Sequence, residues 1–373
     1  MRMKTVRRLL YSGICGAVAF VATAFLALFF FIDIVDELAD VGRNGYTAWQ
    51  AALYCLLLVP GHLYELAPIT VLIGAIYALA RLAQSSEYTI LRTGGLGPQR
   101  ALAMLAALGL AFAVGTFVLG DYLAPYSETR AAALHGLFGG VGAGDGPGAW
   151  MKDRITLPSG ERSYSVRVGN ALPDGSLRNV RLYEFDPDGR LLTRVSAAAG
   201  RVDDDATWRL ADATVTRWRG AVDEGGVPQV REDKVADYAW RGTLTPRVVT
   251  AAVLPLATMS TLDLWRYIGH LADNEQTAQL HRIQFWKRAL YPFACLVMVA
   301  LALPFAYLHA RAGGIGLKVF GGIMLGISFV LLNNVAAHLG LLRNWTPWLV
   351  AATPSAAYLL MSLAAFGWLV RYR

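Results

Sequence analysis

The chain has 373 residues, of which 55% are hydrophobic and 16% are charged, and this composition excludes an ordinary soluble globular protein. Its formal net charge is +7, but the basic residues bracket apolar runs instead of clustering in one soluble unit, which argues against nucleic-acid binding. The three cysteines lie in or beside apolar segments without the spacing of metal ligands, so we expect no metal site.

Six segments are predicted to cross a bilayer as helices. A hydrocarbon layer of roughly 30 Å needs about 20 apolar residues per helix. Five uncharged runs reach that length, namely 9–32, 101–120, 289–310, 319–342 and 344–370. The first follows four basic residues and is longer than the apolar core of a signal peptide, so we expect it to be retained.

The second span is less regular than the others. Its uncharged run, 66–80, is short, so the predicted span starts near Leu63 and leaves Glu65 at the interface. Pro60 and Gly61 predict a break after an earlier helix over 47–59, which we expect to lie at the membrane surface.

Basic residues predict the orientation of the spans. The two termini and the loops 81–100 and 311–318 carry eleven Lys and Arg residues against one acidic residue, Glu87. The loop after the first span is instead mainly acidic. Because Lys and Arg concentrate in short cytoplasmic loops, both termini are predicted to be cytoplasmic.

A polar stretch from about 150 to 247 has the alternation typical of β-strands. The clearest alternating runs are 164–168, 180–185, 208–210 and 215–218, and Asp186-Pro187-Asp188-Gly189 is a typical turn. Roughly 100 residues of this kind predict a small sandwich or jelly roll. After the strands, Ser260 and Asp263 predict the start of a helix that leads back to the membrane.

The predicted organisation has three parts. Residues 1–120 hold the first three spans, 121–257 form a periplasmic β domain with its linkers, and 258–373 hold a periplasmic connecting helix and the last three spans. The fold class is therefore a membrane α-helical protein with six transmembrane helices and an inserted periplasmic all-β, jelly-roll-like domain.

The chain lacks the sequence patterns of common catalytic sites, such as GxxxxGKS/T, GxSxG and HExxH. We therefore expect a protein that is not an enzyme, with any ATP hydrolysed by another subunit. The span centres are apolar, which disfavours an ion-coupled carrier because a coupling ion needs ionisable groups. A cavity between such spans suits an amphiphile with a large apolar part.

The segment 85–95, between spans two and three, predicts a short cytoplasmic helix. Ser85 or Ser86 can cap it, Glu87 suits its positive N-terminal end, and Gly94-Gly95 can end it. Such a helix could dock into a groove on a soluble partner. An ordinary solvated connector fits the same residues at least as well.

At these residues the chain resembles the lipopolysaccharide export permease family, whose paired membrane subunits are LptF and LptG. The resemblance covers essentially the whole chain and rests on separated motifs in the same order. These motifs are FIDIVDELADVG, LARLAQSSEYTILRTGG, DYLAPYSE, LHRIQFWKRALYPFA and TPSAAY. The stretch 34–38 resembles the LptG member more than LptF.

The resemblance implies a permease subunit of an ATP-driven ABC transporter that extracts lipopolysaccharide from the inner membrane. It implies three partners: a homologous LptF-like permease, an LptB-like cytoplasmic ATPase dimer, and an LptC-like periplasmic bridge protein that receives the lipid. ATP and Mg would be held by the ATPase, with no cofactor on this chain.

Two sets of site residues are also implied by the resemblance. The helix 85–95 would couple to the ATPase through Ser85, Ser86, Glu87, Tyr88, Leu91 and Arg92. Spans one and five would form the lipid cavity and its gate with Phe25, Phe29, Phe30, Asp36, Phe329, Leu332 and Asn333. Some relatives carry lysines near the outer end of span one, where this chain has Asp33, Ala39 and Asp40, so divalent cations or the partner permease could recognise the headgroup.

Three alternatives remain open at this point: an LptF-type subunit, a lipid carrier that works alone, and a membrane scaffold whose β domain recruits other proteins. If the β domain extends a periplasmic bridge by strand pairing, the runs 164–168 and 180–185 are the candidate docking strands.

Overall fold

A computed structural model describes residues 3–85, 87–95, 97–138, 148–157, 160–171, 175–219, 229–246, 248–249, 259–273, 278–307 and 314–371. The chain divides into two compact units. The helical unit contains Met1–Asp40, Ala51–Glu128 and Gln279–Arg373, and the sheet unit contains Val41–Gln50 and Thr129–Ala278.

Six stretches of described helix are long and apolar enough to cross a membrane, which confirms the predicted number of spans. They are Thr5–Glu37, Ala48–Gln84, Gln99–Leu134, Gln279–Tyr307, Ile315–Leu342 and Pro347–Trp368. The helices of these spans are α1 (Met3–Glu37), α2 (Ala48–Gln84), α4 (Pro98–Val118) with α5 (Ala124–Phe138), α7 (Gln279–Tyr307), α8 (Ile315–Leu342) and α9 (Pro347–Arg371). A short helix, α3 (Glu87–Thr93), lies between α2 and α4 in the chain. A π-helical turn, Leu119–Leu123, joins α4 to α5, so the third helix runs well past its predicted end at residue 120.

The second helix, α2, forms the centre of the helical unit. In its most apolar stretch 72% of the residues are buried, against 6% in α1. Leu72, Ile76 and Leu79 of α2 are fully buried in one core with Ile14 of α1 and Met298 of α7. Most of the surface of α1 is therefore exposed in the single chain.

The predicted helix break at Pro60-Gly61 is wrong, because α2 continues through both residues and through Pro68. A proline removes one backbone hydrogen bond, and a long helix packed among its neighbours tolerates that loss. Gly61 has a different role here. A Cβ at this position would collide with the carboxylate of Glu128, so the glycine leaves room for the end of that side chain.

Among the described residues of the sheet unit, six antiparallel strands form one sheet, and each strand pairs with its neighbours in sequence. They are β1 (Ala149–Leu157), β2 (Gly160–Ala171), β3 (Ser176–Phe185), β4 (Leu191–Val202), β5 (Thr207–Arg219) and β6 (Gln229–Arg241). This sequential order refines the predicted jelly-roll-like domain, since a closed jelly roll contains Greek-key connections. The runs 208–210 and 215–218 belong to one strand, β5.

The two candidate docking strands, between which the sequence could not identify an edge strand, lie inside the described sheet. The runs 164–168 and 180–185 lie in β2 and β3, and both strands are hydrogen-bonded on both sides. The edge strands of the described sheet are β1 and β6. Alternation reveals that a strand has one buried face, but it does not reveal the order of strands in a sheet.

One face of the sheet covers the core of the sheet unit. Trp208 of β5 is fully buried, and its ring lies 5.6 Å from that of Trp240 in β6. The core also contains Val166, Val180 and Val195 from the three strands before β5. Every second residue along each strand points the same way, so these side chains meet on one face.

The connecting helix is α6 (Thr261–Asp273), and its predicted start is confirmed. The Ser260 hydroxyl accepts a hydrogen bond of 3.1 Å from the backbone N–H of Asp263 and donates one of 2.6 Å to its carboxylate. This is a side-chain cap of the helix N-terminus. Leu264 and Leu271 are buried, as their helical spacing predicts.

Candidate functional site

The short helix α3 follows α2 almost without interruption. The backbone N–H of Ser85 still donates to the carbonyl of Arg81, and its hydroxyl donates to the carbonyl of Leu82 at 3.4 Å. Ser85 therefore finishes α2 and does not cap α3, which corrects one of the two predicted caps. The other, Ser86, lies outside the described residues.

Two glycines end α3 as predicted. The N–H of Gly94 donates to the carbonyl of Ile90 at 2.9 Å, and Gly95 has a φ of 102°, in the left-handed region that favours glycine. The helix is therefore confined to two turns between α2 and α4.

The side chains of α3 divide into an anchor and an exposed face. Leu91 is only 3% exposed and belongs to the core of the helical unit. Glu87 is exposed, and Ile90, which sequence reasoning missed, is 61% exposed on the helix turn that follows. The side chains of Tyr88 and Arg92 lie outside the described part of the chain. Of the predicted coupling residues with described side chains on α3, Leu91 is buried in the core and Glu87 is exposed.

The predicted cavity residues of α1 lie on a helix that is mostly uncovered. Phe25, Phe29 and Phe30 are half-buried, and Asp36 is exposed. More exposed apolar side chains of the same helix include Phe20 and Phe31. The most exposed apolar side chains of α1 are therefore not the ones predicted to line the cavity.

In α8 the structure places the predicted residues on the inner side of the helix. Phe329 is 1% exposed and packs edge-to-face on Tyr358 of α9, with ring centroids 5.2 Å apart. Leu332 and Asn333 are half-buried. Phe329 therefore contributes to packing between two helices of its own chain.

A different set of α8 residues forms an exposed apolar stripe. Its members are Phe320, Met324, Ile327, Leu331 and Val335. They are three or four residues apart, so they share one face of the helix. The spacing is visible in the sequence, but a helix that is apolar on all sides does not reveal which face its neighbours cover.

A polar contact joins α1 to α2 near the predicted outer end of the spans. His62 Nε2 lies 2.8 Å from the carboxylate of Asp33, and the His62 ring lies 5.1 Å from that of Phe29. Asp33 occupies one of the positions where lysines were expected from some relatives. Its carboxylate is occupied by a histidine of the same chain.

A second polar cluster links α2, the π-helical turn and α7. The guanidinium of Arg288 in α7 donates to the carbonyl of Gly120 and lies over the ring of Tyr64 at 5.4 Å. The hydroxyl of Tyr291 donates to the carbonyl of Glu65 at 2.5 Å. A π-helical turn leaves carbonyls without their usual helical partners, and Arg288 satisfies one of them. Sequence reasoning missed this cluster because Arg288 directly precedes the uncharged run that it assigned to span four.

Comparison with known proteins agrees with this architecture. The model of the family "Lipopolysaccharide export system permease LptF/LptG" matches residues 8–369. The chain is 26% identical over 338 residues to the lipopolysaccharide export system permease protein LptG of Escherichia coli K12, covering 89% of each chain. It is 25% identical over 370 residues to the protein of the same name from Haemophilus influenzae, covering 96% of this chain and 97% of the relative. Both relatives bear the LptG name, in line with the predicted LptG-like character. A match over nearly the whole chain, together with six spans and an inserted antiparallel sheet, means that this protein is a multi-pass member of the lipopolysaccharide export system permease LptF/LptG family.

Proposed function

We propose that this chain is the LptG-type permease subunit of an ATP-driven exporter that takes lipopolysaccharide from the inner membrane and passes it to a periplasmic bridge. The observation that carries the proposal is the family match over residues 8–369 of a chain with six spans and an inserted sheet. The chain has no GxxxxGKS/T sequence, so ATP and Mg are held and ATP is hydrolysed by a partner ATPase.

The uncovered helices support a second permease as a partner. The outer face of α1 and the apolar stripe of α8 are exposed in the single chain. Two such permeases facing each other would enclose an apolar cavity that suits the acyl chains of lipopolysaccharide. The side chains of this chain that we expect at the cavity are the exposed ones, Phe31 and the α8 stripe, more than the buried Phe329.

The exposed face of α3 supports the proposed contact with the ATPase. Leu91 fixes the helix to the core of the helical unit, so a force applied to Glu87 and Ile90 would reach the spans. An acidic residue beside an apolar one suits a groove lined by basic and apolar side chains. With both termini cytoplasmic, this contact is cytoplasmic and the sheet unit is periplasmic, where β1 or β6 can pair with a bridge protein.

Purification of the tagged chain from its native membrane tests the proposal. We expect a second permease, a soluble ATPase and lipopolysaccharide to be isolated with it. A stable lone chain that moves lipid with a proton gradient would instead indicate an independent carrier. Isolation with bridge proteins but without an ATPase would indicate a scaffold.

Charge reversal at α3 tests the coupling contact separately. We expect Glu87→Arg to weaken association with the ATPase and to lower ATP-dependent lipid release. The matched control is Asp188→Arg, which makes the same change of charge at an exposed turn of the sheet unit. If Glu87→Arg and Asp188→Arg retain equal amounts of ATPase, Glu87 has no coupling role.

A further inference from the structure

A groove lies between α1 and α2 at the end of the helical unit that carries α3. Its volume is about 660 Å³, and its lining includes Arg8, Leu9 and Gly13 of α1 with Tyr77 and Arg81 of α2. Ser85, directly after α2, and Glu87, the first residue of α3, line the same groove. The groove is remote in sequence from the polar contacts of His62 and Arg288.

The mouth of the groove is basic. Arg8 and Arg81 are both exposed, and within the described residues neither guanidinium is ion-paired to a carboxylate. Glu87 supplies one negative charge to the lining against these two positive charges. The hydroxyl of Ser12, also in the lining, adds a hydrogen-bond donor. Two arginines and a hydroxyl are the groups that bind phosphate oxygens.

The wall of the groove is apolar and belongs to the membrane spans. Leu9 and Tyr77 are 45% and 39% exposed, although both lie within helices that cross the bilayer. Gly13 leaves further space, since a Cβ added there would meet no atom within 4 Å. A ligand that fits needs an anionic head for the arginines and a hydrocarbon tail for the wall.

We propose that this groove binds an anionic phospholipid from the leaflet at the α3 end of the spans. Its phosphate contacts Arg8, Arg81 and Ser12, and one acyl chain lies along Leu9 and Tyr77. Basic pockets between membrane helices hold acidic lipid headgroups in this way. A segment of a soluble protein fits less well, because the apolar wall continues into the membrane-spanning part of both helices.

The position of the groove gives the lipid a regulatory role. Ser85 and Glu87 border it, so an occupied groove fixes the junction of α2 and α3. This part of the inference rests on the proposed function, because it assumes that α3 contacts an ATPase. The binding site itself does not depend on that assumption, and its test needs no ATPase.

Lipid binding to the purified full chain can be measured by native mass spectrometry during titration with phosphatidylglycerol or phosphatidylcholine. We expect phosphatidylglycerol to bind at least tenfold more tightly. The double variant Arg8→Gln/Arg81→Gln should lose roughly tenfold in affinity for phosphatidylglycerol. Its control is Arg7→Gln/Arg100→Gln, which removes two exposed arginines outside the groove lining and should leave the affinity within about twofold.

A steric variant separates the groove from a general charge effect. Gly13→Leu should fill the groove and reduce binding of phosphatidylglycerol about tenfold. Gly16→Leu is the matched control, because Gly16 also has open space on α1 but does not line the groove.

Three outcomes would overturn the proposal. If the two arginine double variants lose equal affinity for phosphatidylglycerol, the lipid is attracted to the basic surface in general and not to the groove. Unchanged binding in Gly13→Leu would place the lipid elsewhere. If Gly13→Leu releases a co-purified ATPase and keeps its phosphatidylglycerol, the groove serves a protein. If Glu87→Arg does not weaken association with the ATPase while the phosphatidylglycerol affinities change as expected, only the coupling role of Glu87 is refuted.

Discussion

Close packing of α1 on α2 can be tested at Gly74. A Cβ at this position would lie 2.6 Å from the backbone nitrogen of Val18 in α1 and 2.7 Å from its Cα. Ordinary contacts between such atoms are about 3.5–4.0 Å, so Gly74→Ala must push α1 outward by roughly 1 Å. The obstacle is backbone, which no change of rotamer can move.

The expected magnitude follows from two opposing effects. Overpacking costs about 1–3 kcal/mol, and alanine in place of glycine in a helix returns about 1 kcal/mol. Gly74→Ala should therefore be destabilising by about 1 kcal/mol. Gly16→Ala meets no atom within 4 Å and should be stabilising by up to about 1 kcal/mol. Gly322→Ala should lie between them, because its close neighbour is the flexible end of Ile76.

Thermal unfolding in detergent with a thiol-reactive dye measures these differences. Cys55 and Cys295 are buried and react only on unfolding, whereas Cys15 is exposed and is best replaced by serine in all variants. A difference of about 2 kcal/mol between Gly74→Ala and Gly16→Ala corresponds to about 4 °C in Tm. Equal Tm values for the two variants would refute the close approach of α1 to α2.

The sheet unit offers three further predictions. Ser260→Ala removes the cap of α6 and should cost about 1 kcal/mol, seen as faster hydrogen exchange in its first turn. Trp208→Ala should cost about 3–5 kcal/mol and make the sheet unit sensitive to protease, whereas Trp150→Ala, at an exposed position, should have little effect. Burial raises the pKa of Tyr164 to about 12, above its value in the unfolded chain. The neutral form of Tyr164 therefore stabilises the folded protein below about pH 10, and this contribution is lost as the pH rises through 12. Tyr164→Phe should therefore lose stability less steeply across that range in alkaline unfolding curves.

The fold was largely predictable because its signals are local. A span needs only a long uncharged run, and a half-buried strand needs only alternation, so both appear in short windows of sequence. The errors concern non-local facts. The helix at Pro60 continues because neighbouring helices support it, and the positions of β2 and β3 inside the sheet depend on strands that are distant in sequence.

The site was harder to predict for a similar reason. Glu87 and the glycines that end α3 carry local signals, and the structure places them as a two-turn helix with an exposed acid. Phe329 and its exposed neighbours have the same apolar character. Packing against other helices, such as that of Phe329 on Tyr358, distinguishes the inner face of α8 from the outer one.

The two helices that are predicted to form the gate, α1 and α8, both pack against α2 at glycines. α1 approaches it at Gly74, and α8 approaches it through Gly322 at Ile76 and Gly326 at Ile69. Residues this small let helices pack closely. α2 also leads directly into α3, which is anchored by Leu91 in the same core. A displacement of α3 therefore reaches the backbone of α2 first and, through these contacts, both α1 and α8. Larger residues at the three glycines should accordingly alter ATP-dependent lipid release even where ATPase binding is unchanged.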